Sequence, residues 1–300
     1  MRHRSVVVFG GSGFVGHHLV GRLSRMGVAV TVPTRFPYRH LDLKLFPGAK
    51  VVPLTSLAEG ALVELIQGHD AVINLIGILN ERRHNGEGFR RAHVDMTTRI
   101  LAATKQAGIR RYLHMSALKA DAVSGTSYYL RSKGEAEDYA HQFGQQNGIA
   151  VTSFRPSVIF GPGDRFLNRF ARLVKFTPGV FPLACASAMF APVYVGDVAK
   201  AFAEVLDDPD SHGRRIDLCG PRDYSLGELV AITAEIIGRP RKVVGLPDWM
   251  ARLQARVLEW IPGKPFTRDN YGSLQTPSIC DPDCPRQPTA LEAIAPRYLR

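Results

Sequence analysis

A chain of 300 residues, 45% hydrophobic and 22% charged, has the composition of a globular protein that buries a core, which excludes the disordered and low-complexity classes. Its net charge of +11 favours anionic partners, namely a phosphate-bearing cofactor, an anionic membrane surface or an acidic protein. Because the basic residues are scattered singly or in pairs, we expect no nucleic-acid partner.

The sequence predicts a cytoplasmic protein in a reducing compartment. The first apolar run, residues 6–9, is too short for a signal peptide, and no apolar stretch approaches the roughly 20 residues of a membrane span. Four cysteines are present, and only Cys280 and Cys284 are close in sequence. Their CDPDC segment is a poor zinc half-site, and no second pair follows it. We therefore expect free thiols and no metal site.

Strand-like and helix-like patterns alternate through the first half of the chain. The strand-like runs are RSVVVF, VAVTVPT, KVVPL, AVINLIG, RRYLHMS and AVTSFRP. The helical patterns between them cover residues 13–26, 57–67, 88–107 and 127–146. Such alternation forms right-handed crossovers and a parallel sheet, and continuous apolar strands indicate that both faces are covered. We predict an α/β fold, with a doubly wound parallel sheet of the Rossmann type over residues 1–160, to which a returning strand-helix unit near residues 190–206 also belongs.

The second half of the chain has a weaker pattern. Prolines become frequent after residue 160, a strand-helix unit returns near residues 190–206, and helical patterns follow at 226–237 and 248–261. We predict that residues 161–300 form a smaller C-terminal lobe for a substrate or partner. This lobe would cap the carboxyl edge of the sheet, where open α/β sheets bind ligands.

A glycine-rich turn, GGSGFVG, follows the first strand and opens the first helix. Its glycines allow a tight turn, close approach of a pyrophosphate and close packing of the helix on the sheet. Amides at the helix N-terminus then face the phosphates. A glycine pattern alone is weak evidence, but this one begins a βαβ unit of the required length. The predicted cofactor contacts are Gly10, Ser12, Gly13, Phe14, Val15 and Gly16.

The end of the second strand, VPTRFPYRH, bears on the choice of cofactor. An NAD site usually places an acidic residue here to bind the ribose 2′-hydroxyl, whereas this chain has Thr34 and Arg35. An arginine at this point pairs with a 2′-phosphate. We expect NADP(H) in preference to NAD(H), with Arg35 as a contact; the alternative is an Arg35 that points into solvent.

Tyr129 and Lys133 lie four residues apart in the helical segment SYYLRSKGEAEDYA, so both project from one face. A lysine ammonium beside a tyrosine stabilises the phenolate and lowers the tyrosine pKa. Such a tyrosine can exchange the proton that accompanies hydride transfer. The same spacing is common on solvated helix faces, so the position of the pair after the fifth strand carries the assignment.

These motifs, together with AVINLIG and FRPSVIFGPGD, resemble the extended and atypical short-chain dehydrogenase/reductases over most of the chain. The resemblance implies a nicotinamide cofactor and catalytic roles for Tyr129, Lys133 and Ser116. It also implies that Lys133 reaches the nicotinamide ribose. The further cofactor contacts that it implies are Leu75, Ile76, Gly77, Ser116, Tyr129, Lys133, Pro156 and Val158.

One position departs from that family. Active members carry a second hydroxyl residue after the fifth strand to orient the substrate carbonyl, whereas in this chain Ser116 is followed by Ala117. Tyr129 and Lys133 would then remain as cofactor contacts while part of the catalytic apparatus is gone. The alternative is that Ser116 serves alone.

The strings GDRFLNRF, APVYVGDVAKA and PTALEAIAPRYL resemble, more narrowly, the NAD(P)H-binding accessory subunits of respiratory complex I and their bacterial homologues. That resemblance implies a tightly held cofactor, usually NADPH, and a structural role near the membrane-facing quinone region. It also implies a respiratory-complex or membrane-surface partner, with the protein peripheral on the inner face of an energy-transducing membrane.

The segment LPDWMARLQARVLEWIPG offers a surface for such a partner. Trp249, Leu253, Val257 and Trp260 recur at helical spacing with arginines beside them. Tryptophans with arginines suit a membrane interface or an acidic protein surface. The alternative, an amphipathic helix packed on the protein's own core, is the commoner case.

Three functions fit these observations. The first is a cofactor-binding protein that holds NADPH with little or no turnover. The second is an NADPH-dependent reductase or epimerase that acts on a small carbonyl or sugar-like substrate through Tyr129 and Lys133. The third is a regulator that senses NADP(H) and binds a partner. Ala117 favours the first function, and the intact Tyr129/Lys133 pair keeps the second open.

Overall fold

Seven parallel strands form the central sheet of the computed structural model. The structure describes residues 3–299. The first two residues of the predicted 1–160 domain and residue 300 therefore lie outside the described residues. The strands of this sheet and of three small two-stranded sheets are, in chain order, β1 (Ser5–Phe9), β2 (Ala29–Thr34), β3 (Ala49–Pro53), β4 (Ala71–Asn74), β5 (Arg111–Met115), β6 (Ala150–Pro156), β7 (Ile159–Phe160), β8 (Val180–Leu183), β9 (Met189–Phe190), β10 (Val193–Tyr194), β11 (Arg215–Leu218), β12 (Tyr224–Ser225) and β13 (Lys242–Gly245). The helices are α1 (Phe14–Arg25), α2 (Glu59–Ile66), α3 (Glu87–Arg90), α4 (Met96–Gln106), α5 (Tyr128–Asn147), α6 (Leu167–Phe176), α7 (Val195–Glu204), α8 (Leu226–Ile236), α9 (Asp248–Leu258), α10 (Arg268–Ser273) and α11 (Leu291–Ile294).

The sheet has the strand order β11-β6-β5-β4-β1-β2-β3, and each neighbouring pair is parallel. The chain runs in one direction across the sheet from β1 to β3 and in the other from β4 to β11. The point of reversal therefore lies between β1 and β4, and a crevice opens there at the carboxyl ends of the strands. This topology confirms the predicted doubly wound parallel sheet.

Both faces of the sheet are covered, as the continuous apolar strands predicted. Because side chains alternate along a strand, Val6 and Val8 pack in one core with α1 and α7. Val7 and Phe9 point to the opposite face and pack in a second core with α2, α4 and α5. The two layers of helices hold β1, and hence the turn that follows it, in a fixed position.

Part of the sheet layer comes from beyond the expected boundary at residue 160. Strand β11 pairs with β6 at the edge of the sheet, and α7 packs directly on α1. The short strand β10, by contrast, pairs only with β7 outside the main sheet. Residues 195–218 thus belong with the sheet layer, because their apolar side chains complete its core.

The remaining C-terminal residues form a lobe around α6 and α8. In this lobe β8 pairs with β13 in parallel and β9 pairs with β12 antiparallel. Asp164 connects two distant strings of the sequence here: its Oδ1 accepts from the Leu167 amide (2.8 Å) at the start of α6, and its Oδ2 accepts from the Tyr298 hydroxyl (2.6 Å). GDRFLNRF and PTALEAIAPRYL are therefore two sides of one structural contact.

The cysteines correct one expectation. Cys219 and Cys280 form a disulfide across 61 residues of sequence, while Cys185 and Cys284 are free thiols. The prediction of four free thiols was wrong because it considered only cysteines close in sequence. The fold brings the segment around Cys280 against the end of the edge strand β11.

Within residues 3–299, none of the helices combines the length and the apolar character needed to cross a bilayer.

Candidate functional site

The glycine turn after β1 forms a close-fitting cradle. Gly10 has a φ of +76°, and the Gly13 amide donates to the Gly10 carbonyl at 2.9 Å, so the chain reverses within three residues and α1 begins at Phe14. A Cβ on Gly16 would meet the Gly10 carbonyl oxygen and lie 2.5 Å from Gly11 Cα. Only glycine fits at position 16, since the backbone of Gly10 and Gly11, which a Cβ would meet, is held in place by its attachment to β1.

The first turn of α1 is open to an anion. It contains no acidic residue, and the Gly13 cap makes no side-chain hydrogen bond to the first amides. These amides and the positive end of the helix dipole are therefore available to phosphate oxygens. Ser12 lies at the same edge, with its Oγ 3.5 Å from Thr34 Oγ1 at the end of β2. The turn and the helix start fit the pyrophosphate of a dinucleotide.

Two arginines follow β2 at the place where an adenosine ribose would lie. Arg35 and Arg39 are both exposed and flank the ring of Phe36, at 5.8 and 5.0 Å from the ring centroid. Sequence reasoning identified Arg35 and missed Arg39, although the four-residue spacing in TRFPYR was a signal for it.

The turn after β4 closes the opposite side of the cradle. The Leu75 amide donates to the Phe9 carbonyl at 2.9 Å, and a Cβ on Gly10 would lie only 2.9 Å from the Leu75 carbonyl carbon. Two residues on, a Cβ on Gly77 would lie 3.1 Å from Lys133 Nζ. The structure therefore brings the glycine turn, residues 75–77 and Lys133 together.

Lys133 is buried, with 4% of its surface exposed. Its Nζ donates to the carbonyl oxygen of Met115 at 2.9 Å and to that of Ile76 at 3.4 Å, so it bridges the ends of β5 and β4. Burial lowers the pKa of Lys133 to about 8. The ammonium is thus held at the crevice by the backbone carbonyl oxygens of Met115 and Ile76.

Tyr129 lies one turn earlier on α5, edge-on to Phe89 (6.1 Å) and His93 (5.6 Å). Burial and, to a smaller extent, the nearby Asp269 carboxylate together raise the pKa of Tyr129 to about 12. The sequence had predicted a pKa lowered by Lys133. That direction was wrong, because desolvation and a carboxylate from the C-terminal lobe determine the shift.

Ser116 lies at the carboxyl end of β5. Its amide donates to the Phe154 carbonyl at 2.8 Å, and its Oγ is buried with no hydrogen-bond partner among residues 3–299. Ala117 follows it and is also buried. Pro156, at the end of the neighbouring strand β6, accepts from the Leu118 amide at 2.9 Å, and Val158 follows two residues later. The candidate residues at the nicotinamide end thus share one sheet edge.

Two further residues of the site escaped sequence reasoning. The first is His93, in a π-helical turn at Arg91–Asp95. Its Nε2 accepts from the Ile78 amide at 3.0 Å, and its Nδ1 lies 2.8 Å from Ser132 Oγ. Asp269 reaches from the C-terminal lobe and accepts from the Tyr128 amide at 2.7 Å. No sequence signal links position 269 to α5, because 140 residues separate Asp269 from Tyr129.

A cavity of about 250 Å³ lies between the N-terminus of α5, the loop after β4 and the lobe. Its walls carry carboxylates and guanidinium groups, including Glu81, Arg131 and Asp269. The loop that contributes Glu81 is held to the lobe by Lys264, whose Nζ donates to the carbonyl oxygens of Glu81 (2.6 Å) and Arg82 (2.8 Å). The space suits a small polar molecule.

Comparison with known proteins identifies the family of this chain. Residues 6–227 match the model of the NAD dependent epimerase/dehydratase family. The chain belongs to that family. It is 31% identical, over 98% of its length, to the mouse protein "NADH dehydrogenase [ubiquinone] 1 alpha subcomplex subunit 9, mitochondrial", of which it covers 79%. It is also 27% identical, over 81% of its length, to "Ceramide reductase" of Caulobacter vibrioides (strain NA1000 / CB15N), of which it covers 74%.

The chain is also similar to the solved structure of epimerase Mth375 from Methanothermobacter thermautotrophicus, with a TM-score of 0.71 and 18% identity. The superposed region includes 91% of this chain and 92% of the epimerase, which shows that the two share a fold. The family match establishes the epimerase/dehydratase family, and the mouse relative confirms the resemblance to the accessory subunit of respiratory complex I. The cradle at Gly10–Gly16 fits the nicotinamide dinucleotide for which the family is named.

Proposed function

We propose that this epimerase/dehydratase-family chain holds NADP(H) as a tightly bound structural cofactor with little or no turnover. It would dock, as an accessory protein of a respiratory NADH dehydrogenase, on the inner face of an energy-transducing membrane. One observation carries the proposal: the half of the site that holds the nucleotide is complete, whereas the half that activates a substrate is not. The mouse relative, named as a subunit of such a dehydrogenase, supports the same assignment.

The nucleotide-holding half supports retention of the cofactor. Gly16, the open start of α1 and the Lys133 ammonium converge at the switch point of the sheet. Each is held by backbone contacts that leave little room for rearrangement. A preorganised site loses little conformational freedom on binding, which favours high affinity.

The substrate-activating half supports slow chemistry or none. When bound, the nicotinamide ring supplies or accepts a hydride. The protein must then supply a proton donor and a group that orients the substrate. Ala117 lacks the second hydroxyl, and a pKa of about 12 makes the Tyr129 phenol a weak proton donor at neutral pH.

The docking face is the exposed apolar side of α9. The helix packs inward through Ala251 and Ala255, while Trp249 and Trp260 are 66% and 77% exposed. Leu253 and Val257 are each 55% exposed between them. The alternative that this stripe packs on the protein's own core is therefore wrong. The net charge of +11 complements an anionic lipid surface, to which we assign the face.

Nucleotide release from the purified full chain tests the retained cofactor. We expect denatured protein to release roughly one equivalent of nicotinamide nucleotide after gel filtration, because a preorganised site exchanges its ligand slowly. We also expect no oxidation of bound NADPH by a panel of small aldehydes, ketones and nucleotide sugars. Protein that carries no nucleotide and has no affinity for added NADPH would contradict the proposal. Turnover that disappears in Tyr129→Phe would contradict it equally.

A second function, an NADPH-dependent reductase or epimerase, rests on one specific observation. The Ser116 Oγ is buried at the nicotinamide end and has no protein partner among the described residues, so it is available to a substrate carbonyl. The ceramide reductase relative favours the same reading. In that function Tyr129 would be the proton donor, Lys133 its electrostatic partner and Ser116 the group that orients a small-molecule substrate. Loss of turnover in Ser116→Ala would support it.

The preference for NADP(H) rests on Arg35 and Arg39. We expect Arg35→Ala to weaken NADPH binding about tenfold and NADH binding far less, because a charge-assisted contact to the 2′-phosphate is worth about 1.5–3 kcal/mol. Arg39→Ala should act in the same direction. Titration calorimetry with both nucleotides measures the ratio, and Arg25→Ala, at the far end of α1, is the control. An equal loss for NADPH and NADH would show that neither arginine reads the 2′-phosphate.

A further inference from the structure

Three metal-binding side chains, those of Asp217, Cys280 and Cys284, meet at the edge of the sheet away from the nucleotide crevice, and a fourth, Cys219, is joined to them by its disulfide with Cys280. Asp217 and Cys219 stand two residues apart at the end of β11, so both project to the same side. Cys280 and Cys284 come from the C-terminal segment that crosses this edge. One ligand atom from each of Asp217, Cys280 and Cys284 lies within 4.8 Å of the other two, and Cys219 Sγ is bonded to Cys280 Sγ.

Asp217 is the second observation that points to a ligand. Its Oδ1 is inaccessible to solvent and, within residues 3–299, accepts no hydrogen bond. A buried carboxylate oxygen without a donor costs free energy unless a cation or donor satisfies it. The Cys284 thiol contributes only long contacts to backbone carbonyls, at 3.8 Å to Asp217 and 3.7 Å to Pro285. Both side chains are therefore free to turn toward a metal.

The surroundings suit an anionic ligand set. Cys219 is fully buried and Cys280 is 5% exposed, and they pack with Leu118 and Ala191 in a small apolar cluster. Three cationic side chains, Arg155, Lys119 and Arg286, lie near enough to act on Asp217 or Cys284 electrostatically. Each of the three is also paired with a carboxylate, that of Glu137, Asp281 or Asp223, so they offset only part of the negative charge that three thiolates and a carboxylate would bring to one divalent ion.

We propose that, in the reduced protein, Cys219, Cys280, Cys284 and Asp217 bind one Zn²⁺ ion. Three thiolates and one carboxylate make a four-coordinate site of the kind that zinc favours. A dithiol reductant breaks the Cys219–Cys280 bond by exchange, becomes a cyclic disulfide and leaves two protein thiols. Binding of Zn²⁺ then releases the thiol protons to solvent. The poor half-site CDPDC thus gains its second pair from the upstream Asp217 and Cys219.

Either state fastens the C-terminal segment to the sheet. The disulfide does so under oxidising conditions through two residues, and the zinc ion does so under reducing conditions through four. In both states the residues around Cys280 remain attached to β11, which pairs directly with β6 and its carboxyl end at Pro156. The metal site shares no residue with the proposed cofactor site, so a test of one does not depend on the result for the other.

Metal titration of the full chain tests the site. The protein is reduced with dithiothreitol, freed of reductant by anaerobic gel filtration and titrated with ZnCl₂ against a chromophoric zinc chelator. CoCl₂ is used in parallel, because a tetrahedral cobalt–thiolate site absorbs in the visible and near-ultraviolet. We expect one equivalent of either ion in the reduced protein and none in the oxidised protein. Reduced protein that binds no stoichiometric zinc would overturn the proposal.

Three variants separate this site from adventitious thiol binding. Cys284→Ser should weaken zinc affinity roughly 100-fold or more while it leaves the Cys219–Cys280 disulfide able to form, so folding of the oxidised variant is preserved. Asp217→Asn should weaken the affinity about tenfold. Cys185→Ser removes the other free thiol and should have no effect. Affinity that is unchanged in both Cys284→Ser and Asp217→Asn would also overturn the proposal.

Discussion

Gly16→Ala should lower the affinity for nicotinamide dinucleotide by roughly 100-fold and destabilise the protein, although alanine is the better helix former. Helix propensity alone would stabilise the protein by about 1 kcal/mol at this position in α1. The new Cβ, however, would overlap the Gly10 carbonyl oxygen and lie 2.5 Å from Gly11 Cα. Both neighbours are backbone, so the whole turn must shift, which costs about 1–3 kcal/mol and displaces the phosphate site.

Gly60→Ala is the matched control for this substitution. Gly60 lies in α2, and a Cβ there meets no atom within 4 Å. We expect Gly60→Ala to raise the free energy of unfolding by about 0.5–1 kcal/mol and to leave nucleotide binding unchanged. Urea unfolding and NADPH titration measure both quantities. If Gly16→Ala behaved like Gly60→Ala in both, the turn would not be the phosphate cradle.

The features that sequence predicted well depend on local periodicity. The run VVVF forms β1 because its alternate residues serve two apolar cores, and the glycines that follow it have a steric role within six residues. Tyr129 and Lys133 share a helix face because their spacing matches a helical turn. In each case the residues that determine the structure lie close together in the chain.

The features that sequence missed depend on distant segments. The pKa of Tyr129 follows burial and Asp269, and neither is encoded near position 129. The Cys219–Cys280 bond joins residues whose proximity arises only when the C-terminal segment crosses β11. Periodicity on α9 identified an apolar face but could not assign it to the core or to solvent, since small residues, Ala251 and Ala255, make the inward contact.

The two most family-specific strings were recognised without a physical reason, and the structure supplies one. Asp164 satisfies the first amides of α6 and also accepts from the Tyr298 hydroxyl, so it joins the start of the lobe to its last helical turn. The lobe in turn presents α9. Helix α9 itself packs on α10, which in turn packs on α5.

Replacement of Trp249 on α9 and Trp260 just beyond its end should remove most of the binding to anionic vesicles. Trp249→Ser with Trp260→Ser deletes two rings that are largely exposed, and their transfer into the interfacial region is worth roughly 3 kcal/mol in total. That loss corresponds to about a 100-fold weaker partition. Co-sedimentation of the full chain with vesicles containing anionic lipid measures it. Leu45→Ser with Val123→Ser, at sites 82% and 91% exposed, is the control and should bind normally.

The dependence of vesicle binding on ionic strength and on anionic lipid content distinguishes this docking mode from purely hydrophobic adsorption. The net charge of +11 and the exposed Arg252 and Arg256 beside the tryptophans should make binding fall as ionic strength rises and as anionic lipid is removed. Vesicle binding that is unchanged in the double tryptophan variant would move the membrane contact elsewhere on the chain. If the full chain failed to bind anionic vesicles at all, the assignment to lipid would be wrong. The exposed stripe of α9 would then fit the acidic surface of a protein partner, because the same arginines would pair with carboxylates there.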